Sequence, residues 1–167
     1  MGLHQNLSDI INVLYFDEEL LRLLYYSPAN LAKGTPDPLD SSLPNIMDMA
    51  EQDQWDIRNG RIGFSAKTND ITPDNPVCRL YVYAGRRRSD GNYLMADQEL
   101  VIDIFVHNDF ENGDLRSSRV LDRLNQLLVL NRITGIGIMN YNNSTPIGSP
   151  AEYVGYRHIF TFSEFKK

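Results

Sequence analysis

The residues of this sequence that could do chemistry are spaced in ways that predict no catalytic or metal centre. The three histidines, His4, His107 and His158, lack the paired spacing, one helical turn apart, of a zinc site. The only cysteine, Cys78, lies in an apolar run, where we expect a small core residue, and it excludes an internal disulfide. No serine lies in a nucleophile-elbow pattern. We therefore expect no catalytic residue, no metal and no cofactor.

One basic cluster stands out in this acidic chain. Arg86, Arg87 and Arg88 are consecutive, and the segment that continues to Asn92 is typical of a β-hairpin tip with Asp90-Gly91 as its turn. Guanidinium groups there could contact DNA phosphates or the carboxylates of a protein partner. A charged tip that only keeps the hairpin soluble and discourages edge pairing is the alternative.

The chain length and the net charge limit which kinds of protein this chain can be. A chain of 167 residues suits one domain with a core of its own. The formal net charge is -6 and the pI is about 5.0. An acidic chain of this kind is not expected to bind along nucleic acid through a basic surface, although DNA can still pass along an acidic surface without binding to it. With no signal segment and no apolar run of membrane-spanning length, we expect a soluble protein that is made in a reducing cytoplasm and contacts no membrane.

Apolar residues at helical spacing predict a helical start to the chain. Those between Leu7 and Leu14 follow Asn6 or Ser8, either of which could cap the helix. Asp17 opens a run of acids that is typical of a new helix N-terminus, and Pro28 ends the pattern. Two short helices, or one helix with a break just before the acids, both fit.

A long polar segment, from Ala29 to Arg58, follows. A loop of this length is uncommon in a compact domain unless it is functional or disordered. Met47, Met49 and the only tryptophan, Trp55, interrupt its polarity, which is typical of an ordered loop or a short helix packed on a surface. A loop folded back on its own domain and an arm that reaches a neighbouring subunit fit equally well.

Alternating apolar residues predict the strands of a sheet. The strands are expected near Ile62, from Cys78 to Tyr83, from Glu99 to His107, from Ile133 to Ile138 and from Tyr153 to Phe162. The strand that ends at His107 is partly apolar on both faces, which predicts a central strand or an edge that a neighbour covers. Val101 and Phe105 on its second face are candidates for that contact.

An amphipathic helix is predicted from Asp114 to Leu130, after a turn over residues 112–114, and a polar loop from Asn142 to Pro150. Together the patterns predict an α+β fold. Its mainly antiparallel sheet is flanked by an N-terminal helix and one amphipathic helix. We expect a single domain over residues 1–167, with the long loop at about 29–58.

The stretches Glu99–His107, Asp114–Leu130 and Tyr153–Phe162, in this order, resemble the tail terminator and tail-to-head joining proteins of tailed bacteriophages. The segment Asp17–Pro28 is similar to phage neck and tail-completion sequences. The resemblance covers most of the chain outside the loop, and it is architectural more than motif-based.

This resemblance implies a structural protein that forms a ring, commonly sixfold, at the head-proximal end of the tail. Such a ring ends tail-tube polymerisation and joins the tail to the neck. Its partners would be other copies of the chain, the tail tube protein and a head-closure or connector protein. DNA would pass through the ring without sequence-specific binding, and an acidic lumen limits sticking. The protein would be assembled in the host bacterial cytoplasm and retained in the virion.

Two other functions remain open from sequence: another neck or tail-completion component, and a small cytoplasmic α+β enzyme or ligand-binding domain. A deep pocket with convergent polar groups would favour the last. If the chain assembles, the expected contact residues are Arg86, Arg87, Arg88, Trp55, Met47, Met49, Val101 and Phe105.

Overall fold

A five-stranded, mostly antiparallel sheet with helices packed against it forms the α+β fold that the sequence predicts. The computed structural model describes residues 2–89 and 91–165, and for Ile136 and Phe165 only the backbone. The helices are α1 (Leu3–Tyr15), α2 (Glu18–Tyr25), α3 (Glu51–Arg61), α4 (Asn108–Asp114) and α5 (Arg116–Leu128). The strands are β1 (Ile62–Gly63), β2 (Cys78–Ser89), β3 (Met95–His107), β4 (Ile136–Ile147) and β5 (Tyr153–Phe165). The strand order is β1-β2-β3-β5-β4, and only β1 and β2 pair in parallel.

Two helices, not one, begin the chain. The Leu20 N–H donates to Asp17 Oδ1 at 2.8 Å, so Asp17 caps α2 as its sequence predicts. The expectation that Asn6 or Ser8 caps α1 is wrong, because α1 already begins at Leu3. Asn6 instead lies fully buried within α1 and donates to Glu164 Oε2 of β5 at 2.8 Å.

The predicted turn before the amphipathic helix is itself helical. Residues 108–114 form α4, and Leu115, with φ of 52°, separates it from α5 in a left-handed conformation. The apolar stripe of α5 packs as predicted, with Val120, Leu124 and Leu128 fully buried in the main core. Helix α5 ends at Leu128, two residues before the predicted end at Leu130.

Strand β3 lies in the middle of the sheet, paired with β2 on one side and β5 on the other. Its second face is buried by the chain itself: the side chain of Val101 is 6% exposed and that of Phe105 is 4% exposed. Phe105 packs with Tyr81 of β2 and with Ile71 and Val77 of the segment between β1 and β2. This corrects the expectation that the second face is left open for a neighbouring subunit.

Two strands extend further than their sequences predict. β2 continues through Arg88, which pairs with Asp97 of β3, so the three arginines lie on a strand and not at a hairpin tip. Of the expected turn, Asp90 lies outside the described residues, and Gly91 has φ of +66°. β4 runs to Ile147, where a polar loop was expected. Its backbone pairs with β5 regardless of its polar side chains, which is usual for an edge strand.

Candidate partner-binding surface

The segment between Ala29 and Arg58 is ordered by contacts with its own chain. Arg22, which is 7% exposed, donates to the carbonyl oxygens of Pro38, Asp40 and Leu43 at 3.3, 2.9 and 3.1 Å. A buried guanidinium that is satisfied by backbone carbonyls fixes the path of the loop. The segment then forms a short turn at residues 46–48 and the helix α3. Of the two alternatives, the structure has a loop folded back on its own chain, ending in a helix.

Three exposed aromatic rings lie beside Tyr15 or Arg58, where α3 packs against the junction of α1 and α2. The side chains of Phe16, Trp55 and Phe64 are 59%, 37% and 50% exposed. The buried ring of Tyr15 lies next to two of them, with its centroid 6.0 Å from that of Trp55 and 6.0 Å from that of Phe64. We call Phe16, Trp55 and Phe64 the aromatic patch. A group of exposed apolar side chains marks an interaction site more often than a lone exposed ring does.

Arg58 lies beneath the aromatic patch and is 3% exposed. Its guanidinium carbon is 4.7 Å from the centroid of the Phe16 ring and 4.9 Å from that of Trp55. Its Nε donates to the Tyr15 carbonyl at 2.8 Å, and its Nη2 lies 3.2 Å from Gln54 Oε1. Arg58 thus holds two exposed rings in place without an ion pair to any described residue.

Methionine side chains support the same surface from the loop side. Arg58 Nη2 also contacts Met47 Sδ at 3.2 Å, and Gln54 donates to the carbonyls of Met47 and Met49 at 2.9 Å each. The patch is therefore fixed before any partner arrives, which reduces the ordering penalty of binding. Its composition of Trp, Phe and Arg is that of binding hot spots.

A cavity of about 540 Å³ opens on another side of α3. Asp53, Asp56 and Arg61 line it from one helix face, since they recur at helical spacings. The Arg61 guanidinium lies over the Tyr25 ring, 5.8 Å from its centroid, and burial lowers its pKa. Arg79, on the opposite wall, is engaged by its own chain, because its Nη1 donates to Asp70 at 2.8 Å.

The arginine segment, Arg86–Arg88, lies at the far end of β2. All three residues are exposed, and a bulge separates Ala84 from Arg87. Arg87 Nε lies 2.9 Å from Glu164 Oε1, a carboxylate that is 1% exposed. The Arg86 N–H donates to Glu99 Oε2 at 3.1 Å. Only Arg87 therefore has a structural role that a substitution would disturb.

One polar cluster of the sheet is satisfied by contacts among its own side chains, Tyr83, Asp103 and Arg157. Arg157 donates to both oxygens of Asp103, at 2.8 and 2.9 Å, and the Tyr83 hydroxyl donates to Asp103 at 2.6 Å. Burial, and then the hydrogen bond to Asp103, raise the pKa of Tyr83 to about 12, and the nearby Arg157 charge opposes this rise.

Of the remaining candidates for chemistry, Cys78, His107 and His158 are buried and His4 is exposed. Cys78 is fully buried, which raises the pKa of its thiol to about 12 and keeps it unreactive. His158 Nδ1 bonds the Ser144 hydroxyl, and burial lowers the pKa of His158 to about 4. His107 Nε2 lies 3.0 Å from the Pro73 carbonyl. Over residues 2–89 and 91–165, no group of three or more His, Cys, Asp or Glu side chains could hold a metal.

The structure brings together only some of the contact residues expected from sequence. Trp55 lies in the aromatic patch, Met47 supports it, and Met49 lines the cavity. Val101 and Phe105 are buried inside the chain and leave a partner little surface to contact. Sequence reasoning missed Phe16, Phe64 and Arg58, although Arg58 follows Trp55 by three residues on α3 and is therefore its helical neighbour. In the described part of the chain, no helix is long and apolar enough to cross a membrane.

The sequence of this chain is similar to those of known proteins. Residues 17–162 match the model of the YomW family. The SPbeta prophage-derived uncharacterized protein YomW of Bacillus subtilis strain 168 is 32% identical over 167 residues, which cover 97% of each chain. The matched residues include α3, Phe64 and the arginine segment.

Proposed function

The chain belongs to the phage-derived YomW family, and on that premise we propose that it is a structural protein of a tailed-phage particle. It forms a ring at the head-proximal end of the tail, ends tail-tube polymerisation and joins the tail to the head or neck. Its partners are further copies of itself, the tail tube protein and a head-closure or connector protein. It is not an enzyme, and it resides in the virion after assembly in the host cytoplasm.

The aromatic patch is the observation that carries this proposal. Phe16, Trp55 and Phe64 present exposed rings that Arg58 and Tyr15 hold in fixed positions. A chain that works alone gains nothing from keeping such a surface in water, whereas an assembling subunit buries it against a neighbour.

The acidic charge supports the passage of DNA through the ring. A net charge of -6 gives a channel that repels the DNA backbone, so DNA slides without sequence-specific binding. Another neck or tail-completion component is the alternative, and it differs in where the protein lies on the particle.

Genetic removal tests the proposal. In a phage that encodes this chain, deletion of its gene should give heads and tails that do not join, with tail tubes that exceed the normal length. A plasmid copy should restore joining. A copy with Trp55→Ala and Phe64→Ala should not, whereas Leu31→Ala, at a leucine that is 99% exposed and outside the patch, should restore it fully. Normal joined particles from the deletion strain would overturn the proposal.

A further inference from the structure

Two charged surfaces without ion pairs in the described residues lie at opposite ends of β2. At one end, Arg86 and Arg88 are exposed and take part in no ion pair with described residues. At the other end, Asp53 and Asp56 line the cavity beside α3 and are likewise unpaired by any described cation. Arg79, at the edge of this cavity, is already paired with Asp70.

The two surfaces cannot meet within one molecule. A strand rises about 3.3 Å per residue, so Arg79 at the cavity and Arg88 at the far end of β2 are roughly 30 Å apart. Between these points β2 pairs with β3, with a bulge between Ala84 and Arg87. A contact between the surfaces therefore requires a second copy of the chain, and it joins two different patches in a head-to-tail manner.

The spacings of the two surfaces match. Arg86 lies in the bulge, with its N–H bonded to Glu99, and Arg88 pairs opposite Asp97, so the two arginines are about 6.6 Å apart along an extended strand. Asp53 and Asp56 are three residues apart on α3, which puts their Cβ atoms about 5–6 Å apart. Each guanidinium can thus face one carboxylate and form a two-pronged pair with it.

We propose that Arg86 and Arg88 of one copy bind Asp53 and Asp56 of the next copy, in the cavity beside α3. Tyr25 and Met49 provide apolar wall for the arginine stems. Arg61 lies five residues beyond Asp56, about 7.5 Å along the helix axis, and forms no ion pair with either carboxylate in the described part of the chain. Asp56 Oδ1 accepts a hydrogen bond from Gln52 at 2.8 Å, so its other oxygen is the one that an incoming guanidinium can bind. This inference rests on the proposed function and names the contact between neighbouring subunits of the ring.

Charge reversal tests the contact, with assembly on tail tubes as the readout. Neither the variant Arg86→Glu with Arg88→Glu nor the variant Asp53→Arg with Asp56→Arg should form rings alone, with the yield reduced at least tenfold. Mixed together, the two variants should form rings again, because every contact in an alternating ring is then complementary. The control with Lys33→Glu and Arg132→Glu carries the same charge change as the variant with Arg86→Glu and Arg88→Glu. Its substitutions are at other exposed sites, so it should assemble as wild type.

The outcomes separate this inference from the proposed function. If wild-type protein forms rings on tails and both charge-reversed variants do so too, the contact is wrong and the function stands. The contact is also wrong if the mixture fails although each variant melts at the wild-type temperature. A protein whose copies never contact each other, in solution or on tails, overturns both. As a direct check, a bismaleimide cross-linker should join Asp53→Cys chains to Arg88→Cys chains, since the native Cys78 is fully buried.

Discussion

The guanidinium carbon of Arg58 lies 4.9 Å from the centre of the Trp55 ring, although Trp55 remains 37% exposed. An arginine that is otherwise buried thus supports an aromatic side chain that faces solvent. Arg58 is also hydrogen bonded to the Tyr15 carbonyl, so the position of the Trp55 ring is tied to the junction of α1 and α2. The Trp55 ring is thus held in position before a partner binds, which reduces the entropy cost of binding.

Replacing Trp55 with Ala should weaken assembly without unfolding the chain. An aromatic hot spot contributes about 2 kcal/mol or more to binding, so the apparent affinity for tails should fall roughly 30-fold. Binding of labelled protein to isolated tails measures the effect. Leu31→Ala should bind as wild type. An unchanged affinity of Trp55→Ala would remove the aromatic patch from the account.

Replacing Leu124 with Ala should lower the free energy of unfolding by roughly 2–5 kcal/mol, because it leaves a cavity in the main core. Urea denaturation measures the loss. Leu31→Ala, at the exposed position, should change the free energy by less than about 0.5 kcal/mol. Similar midpoints for the two variants would contradict the packing of α5 against the sheet.

Replacing Arg22 with Met should release the loop after α2. The carbonyls of Pro38, Asp40 and Leu43 then lose their buried donor, at a cost of about 1–3 kcal/mol. Limited proteolysis should cut between residues 37 and 45 in the variant well before the wild type. Equal cleavage rates would mean that the loop is ordered by other contacts.

Acid should destabilise the fold through His158. Its pKa is lowered to about 4, from 6.5, by burial that the Asp103 charge offsets only in part. The unfolded chain therefore binds a proton that the folded chain does not bind between these pH values. Stability is full above pH 6.5 and falls as the pH drops toward 4, by at most about 3 kcal/mol.

A variant isolates this contribution. His158→Gln cannot titrate, so its free energy of unfolding should vary less with pH between 6.5 and 4 than that of the wild type. Urea titrations at several pH values measure both slopes. Parallel slopes would show that other groups cause the acid sensitivity.

Local patterns predicted the parts of the fold that depend on periodic burial. In β3 and β5, apolar residues alternate because one face of the strand packs on the core. In α5, the stripe of Val120, Leu124 and Leu128 has the same cause. Both patterns can be read from the local sequence alone. Only the start of β4 was predicted, because the strand conformation of its polar remainder comes from backbone pairing with β5, which its side chains do not encode.

The candidate surface was predictable only in part. Trp55 stands out because it is the only tryptophan of a polar segment. Phe16 and Phe64 are far apart in sequence, and each joins the surface through a different neighbour of Trp55: Phe16 through Arg58 and Phe64 through Tyr15. The burial of Val101 and Phe105 likewise depends on a segment that crosses the second face of the sheet, and strand periodicity does not show whether such a face is covered from within.

Negative-stain microscopy of the purified protein mixed with tail tubes tests the central claim most directly. The account predicts a closed ring of several copies, with a central channel, at the end of the tube that joins the head. It also predicts that these rings are absent when the protein carries Trp55→Ala and Phe64→Ala. A single copy on each tail, an open arrangement without a channel, or protein bound only elsewhere on the particle would contradict it.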